Sequence, residues 1–117
     1  MQSIAIVLLC LAAAVGYGIL HDEVTARISL KYFTVGHPDL FGTDSPTLLG
    51  IGWGIVATWW VGLLLGVPIA VAARLGPRPK LTAWDLVRPM GQLLLIMVCG
   101  AVAAGLAGFT ASHLGWV

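Results

Sequence analysis

The residues best suited to chemistry are three histidines and the acids near them. His21 is followed directly by Asp22 and Glu23, His37 precedes Asp39 by two positions, and His113 stands close to Val117. Neutral imidazoles combined with a carboxylate suit zinc or copper. His21, His37, His113 and Glu23 therefore form a candidate metal set. Their spacing is that of no compact metal motif, so only a topology that gathers distant residues would assemble it. A pigment or haem ligand at His21 or His113 is a further reading of the same residues. Nothing else points to catalysis. The chain has no P-loop, no H-E-x-x-H and no G-x-S-x-G, and no Ser–Lys, Ser–His or Asp–Asp pair falls inside an apolar run. Cys10 and Cys99 both lie within apolar runs and lack C-x-x-C spacing, which makes them small hydrophobes.

The elements that must position these residues are membrane helices. Of 117 residues, 59% are apolar and 9% charged, against about 25% charged in soluble domains. A net charge of +1 without a basic or acidic tail gives no support to nucleic acid as a partner. Three apolar runs stand out, at about 4–20, 46–73 and 89–112. The first is long for the apolar region of a signal peptide, and no Lys or Arg precedes it, so it reads as a retained helix. Ser45-Pro46 is an N-cap followed by Pro at the first helical position. Pro68 is expected to kink that second helix. Pro89 is expected to open the third. No Asp, Glu, Lys, Arg or His lies in the middle of a run, where proton relays and ion pumps carry them. Thr58 and Gln92 are the main polar residues within the runs and read as helix-packing contacts.

The second run carries a row of small residues every fourth position: Gly50, Gly54, Thr58, Gly62, Gly66 and Ala70. Lipid tails are as apolar as Leu, so hydrophobicity does not drive helices together in a bilayer. Small residues four apart let two backbones come close enough for dispersion and weak hydrogen bonds to hold them. At 3.6 residues per turn the row drifts by about 40° per step. It is therefore expected to meet one neighbour with Gly50, Gly54 and Thr58 and another with Gly62, Gly66 and Ala70. Ala12, Ala14, Gly16 and Gly18 supply small faces in the first helix. Gly100, Ala104, Gly108 and Ser112 repeat the pattern in the third, which makes that helix the expected partner of the second. Trp59 and Trp60, too deep for the interfacial belt, are expected between helices.

Between the first two runs lies the one long polar stretch, 21–45. Val24 to Tyr32 alternates apolar and polar residues, the period of a strand. A helix starting from Asp22 also fits, with Val24, Ile28 and Tyr32 on one face. Either way that apolar side is expected to pack on the helix ends or a partner chain. The motifs H-D-x-x-T-x-R-I-S, from His21 to Ser29, and Y-F-T-x-G-H-P, from Tyr32 to Pro38, resemble a stretch of small uncharacterised bacterial multi-span membrane proteins. The resemblance implies a bacterial source and a role for this loop in function or assembly, and no particular activity.

The second connection, 74–88, carries Arg74, Arg78, Lys80 and Arg88 against Asp85 alone, whereas the first carries two basic residues, Arg27 and Lys31. Loops rich in Lys and Arg stay in the cytoplasm. Trp84 and Leu86 are expected to dip into the headgroups from one interfacial turn. The expected whole is an all-α integral membrane protein of a single domain, 1–117, in the inner membrane of a cell. It has three transmembrane helices, a cytoplasmic amino end and one structured extracytoplasmic loop. The abrupt apolar end near Trp116 suggests a fourth helix beyond. Abundant packing surface without a catalytic set implies an accessory subunit of a larger membrane assembly or a homo-oligomer. A metal-binding or small-solute transport protein using the histidines is the alternative. Cysteines placed at Ser29 and Thr82 test the orientation in intact cells. An impermeant thiol reagent should reach the first and spare the second, and the inverse pattern refutes the charge argument.

Overall fold

The computed structural model describes all 117 residues, Met1–Val117. It is all-helical, in the order α1 (Gln2–Ile28), α2 (Lys31–Thr34), α3 (Pro46–Arg74) and α4 (Ala83–His113). The three long helices are each long and apolar enough to cross a membrane. At 1.5 Å per residue all three are longer than a hydrocarbon core of about 30 Å.

α1 and α3 run antiparallel and touch along their whole length, and the small-residue row of α3 is the seam. Gly50, Gly54, Gly62, Gly66 and Ala70 are all buried. A Cβ added at Gly54 would lie 2.5 Å from the Cα of Ile19, and one at Gly62 would lie 2.8 Å from the Cα of Leu11. At Gly18 of α1 it would meet the Gly54 carbonyl oxygen at 2.6 Å. Both backbones are thus in contact with nothing between them. Thr58 counts as small here because its hydroxyl donates to the Gly54 carbonyl one turn back, leaving no polar group unpaired in the seam.

The row was expected to divide between two neighbours, and it does not. α1 carries a matching row, Ile6, Cys10, Ala14, Gly18, Asp22 and Ala26, each buried or half-buried. Two rows of the same four-residue inclination stay together as they wind, so one partner suffices. Nor is α4 the partner of α3. It makes its contact with α1 and barely touches α3, so the long helices stand in a row with α1 in the middle. The molecule is accordingly flat, 55 × 35 × 17 Å. Gly100, Ala104 and Gly108 face open space or lie exposed. α4 is fastened near its start, where Ala83, Leu86 and Met90 pack on a cluster of Ile6, Cys10, Ala70 and Ala73. The Ala83 N–H donates to Gln2 Oε1 at 2.9 Å, and the Tyr17 hydroxyl donates to the Met97 carbonyl at 3.4 Å.

Several local expectations are also corrected. The alternating segment is no strand: α1 continues to Ile28, and Lys31 to Tyr32 open α2. Its buried residue is Ala26 rather than Val24, Ile28 or Tyr32, because Ala26 falls on the α1 row; Ile28 is 80% exposed. α4 begins at Ala83, not Pro89. The Thr82 hydroxyl accepts from the Asp85 N–H while the Asp85 carboxylate accepts from the Thr82 N–H, a capping box that nucleates the helix one and a half turns earlier. Leu86 packs against the Ile6 cluster rather than facing outward, whereas Trp84 is 82% exposed. Trp59 and Trp60 are each about half exposed, on the flank of α3 away from the seam. Pro68 lies inside α3, which continues beyond it to Arg74.

Gly54→Leu and Gly62→Leu should each destabilise the purified chain in detergent by about 3 kcal/mol or more, since overpacking meets backbone that no rotamer can vacate. Gly108→Leu, in open space, should not destabilise it, and the higher helix propensity of Leu should stabilise it by up to about 1 kcal/mol. Equal effects of the three would show that the seam is not where stability resides.

Candidate functional site

Polar and aromatic side chains concentrate where α1 hands over to α3. α3 starts cleanly here, with the Ser45 hydroxyl accepting from the Leu48 N–H and Pro46 in the first turn. Arg27, in the last turn of α1, ties the two helices. Its guanidinium donates to the Glu23 carboxylate and carbonyl, the latter at 2.9 Å, and its other terminal nitrogen donates to the Thr47 hydroxyl at 2.9 Å. Glu23 has its second oxygen, Oε1, closed in over Gly50 without a hydrogen-bond partner. Gly50 is thus the residue that lets a carboxylate fold down between the helices.

Beside this ion pair sits an aromatic nest around His37. Its ring centroid lies 4.7 Å from Tyr32, 5.4 Å from Phe33 and 4.6 Å from Trp53. Phe41 closes the nest edge-on to Trp53 at 5.6 Å, with the outer end of its ring over Gly52. His37 Nδ1 is 2.7 Å from the Tyr32 carbonyl oxygen. An acceptor there places the proton on Nδ1 and leaves the lone pair on Nε2. Asp39 is engaged in the loop, its Oδ1 accepting from the Gly42 N–H at 2.9 Å; Gly42 has φ +62°, which only glycine adopts without cost. The Trp53 indole N–H is buried without an acceptor.

The candidate metal residues are not brought together. His21 pairs with its neighbour Asp22 at 3.3 Å, His37 is held in the nest, and His113 stacks on Phe109 of its own helix at 6.1 Å. No three His, Cys, Asp or Glu side chains gather in a ligand arrangement. Glu23 faces Arg27, not a histidine. Of the other polar positions, Thr58 is self-satisfied and Gln92 is exposed. Sequence reasoning missed the Arg27–Thr47 tie, which has no local signature. The nest had one, the run of Tyr32, Phe33 and Phe41 around His37.

The site contains no nucleophile paired with a base. It is arranged to join helix ends and to present an aromatic surface. No protein-family model matches the chain, and no curated protein or solved structure matches it either. Fold and composition define a class, a small all-helical protein with three helices able to span a membrane.

Arg27→Ala should destabilise the chain by about 1–3 kcal/mol, because it strands a half-buried carboxylate. Adding Glu23→Gln should recover part of that loss, a coupling that a double-mutant cycle in detergent measures. Additive effects would mean that the pair contributes nothing as a pair.

Proposed function

We propose that this chain is a non-enzymatic integral membrane protein that serves as a packing or accessory subunit of a larger membrane assembly. One observation carries the reading. The spacing that closes α1 onto α3 recurs on α4 as Gly100, Ala104 and Gly108, and there it has no partner. Glycine costs a helix about 1 kcal/mol relative to Ala, and small residues against lipid return no packing energy. A helix that keeps such a row, at the edge of a flat arrangement, is built to receive another helix. The charge asymmetry of the two connections supports an inner-membrane setting with the amino end in the cytoplasm and the aromatic nest outside. The resemblance of the nest's motifs to small bacterial multi-span proteins is in keeping with that setting.

The test is purification at native abundance in mild detergent, followed by intact-complex mass measurement. A stoichiometric second subunit or a second copy is expected. Gly100→Leu with Gly108→Leu should release it while the α1–α3 pair keeps its stability. A wild-type chain recovered alone, with the double variant equally abundant in cells, overturns the proposal. Bound zinc or copper in place of a partner would favour the histidine reading instead.

A further inference from the structure

The opposite end of the α1–α3 pair holds a cleft of about 360 Å³, within the size range of small-molecule sites. Ile4 and Leu8 of α1 and Val67 and Val71 of α3 form its walls, and no α4 residue lines it. Seven of its nine lining residues are apolar; the two that are not, Ser3 and Arg74, belong to the ends of the helices. Apolar walls with a cation at the end match the two halves of a phospholipid. We propose that this cleft is a binding site for an anionic phospholipid, with an acyl chain along Val67 and Val71 and the phosphate at Arg74.

Charge complementarity selects that occupant over a neutral lipid or a protein helix. Arg74 has one donor engaged, Nη1 to the Leu81 carbonyl at 3.1 Å, which leaves most of its five N–H groups for a phosphate. Arg78 and Lys80 follow in the same short connection. The nearest acid in sequence, Asp85, is held by the Thr82 cap, so no carboxylate of this connection competes. The start of α1 adds to the same field, since its first turn has no side-chain cap and no acid, leaving N–H groups of the positive helix end unpaired. A partner helix would not enter the seam, which α1 and α3 already close; the cleft lies beside it, between Ile4, Val7 and Leu8 of α1 and Val67, Ala70 and Val71 of α3. The proposal rests on the helices being in a bilayer and is independent of the subunit reading, because α4 takes no part in the cleft.

The full chain in neutral detergent, titrated with phosphatidylglycerol or phosphatidylcholine and examined by native mass spectrometry, tests it. Phosphatidylglycerol should be retained and phosphatidylcholine stripped under the same activation. Arg74→Gln should weaken phosphatidylglycerol retention about five-fold, the effect of losing one cation at an anionic surface. Leu8→Trp, which fills the cleft from the wall and leaves the charge in place, should abolish it. Thermal melting separates the structural role of Arg74. If the guanidinium only braces Leu81, Arg74→Gln lowers the melting temperature equally with and without lipid. If it binds phosphate, the variant loses the stabilisation that phosphatidylglycerol gives the wild type. Equal retention of the two lipids, or retention unchanged in both variants, overturns the proposal.

Discussion

Two helix backbones lie against each other only where no Cβ stands between them, and α1 and α3 satisfy that condition at Gly54 and Gly62. A single pair of heavy atoms contributes about 0.1–0.2 kcal/mol of dispersion energy. In a bilayer, where burying apolar surface gains little, a helix pair therefore needs contact along its full length. The matched rows supply it. Gly54 against Ile19 and Gly62 against Leu11 are separated by less than a side chain's first carbon would require. The Gly18 approach to the Gly54 carbonyl is the setting in which weak Cα–H···O bonds add to dispersion.

From that seam follows the arrangement of the rest. Because α1 takes both halves of the α3 row, α3 has no small face left for α4, and α4 finds α1 instead. It is held by a small apolar cluster and two hydrogen bonds to α1. Beyond Ala101 its side chains are almost all exposed. The protein is therefore a closely packed pair with a third helix attached along one edge, and apart from Gly16 of α1 its unpartnered glycines lie on that third helix or on loops.

The two ends of the pair differ in chemistry for a reason rooted in the same seam. At the α1–α3 turn the rows stay close as far as Gly50, which is small enough for the Glu23 carboxylate to fold over it and for Arg27 to reach Thr47. Polar groups there are mostly paired with one another, and His37 is enclosed by aromatic rings. At the other end Ile6 and Cys10 still meet Ala70 and Ala73, but large side chains beside that contact flank a cleft, and Arg74 is among its lining residues. One end is closed on itself, and the other remains open to what surrounds it.

Much of the architecture was legible in the sequence. Three apolar runs of helical length, the Ser45-Pro46 start of α3 and the packing role of Gly50, Gly54, Gly62 and Gly66 follow from composition and spacing, because bilayer thickness and backbone approach act on local sequence. Helix ends were less legible. Alternation from Val24 to Tyr32 satisfies a strand and a helix equally, and the helix prevails because Ala26 completes the α1 row. Pro89 looked like a start until the Thr82–Asp85 box set one earlier. Partnership belonged to the tertiary structure alone. A four-residue row states that something approaches closely without saying what, and only the matching inclination of the α1 row decides that Gly62 and Gly66 meet the same neighbour as Gly50 and Gly54. The same holds for the histidines, whose types suggested a shared metal. The fold gives each its own local contact, since side-chain proximity depends on where helix ends come to rest, and no residue type encodes that.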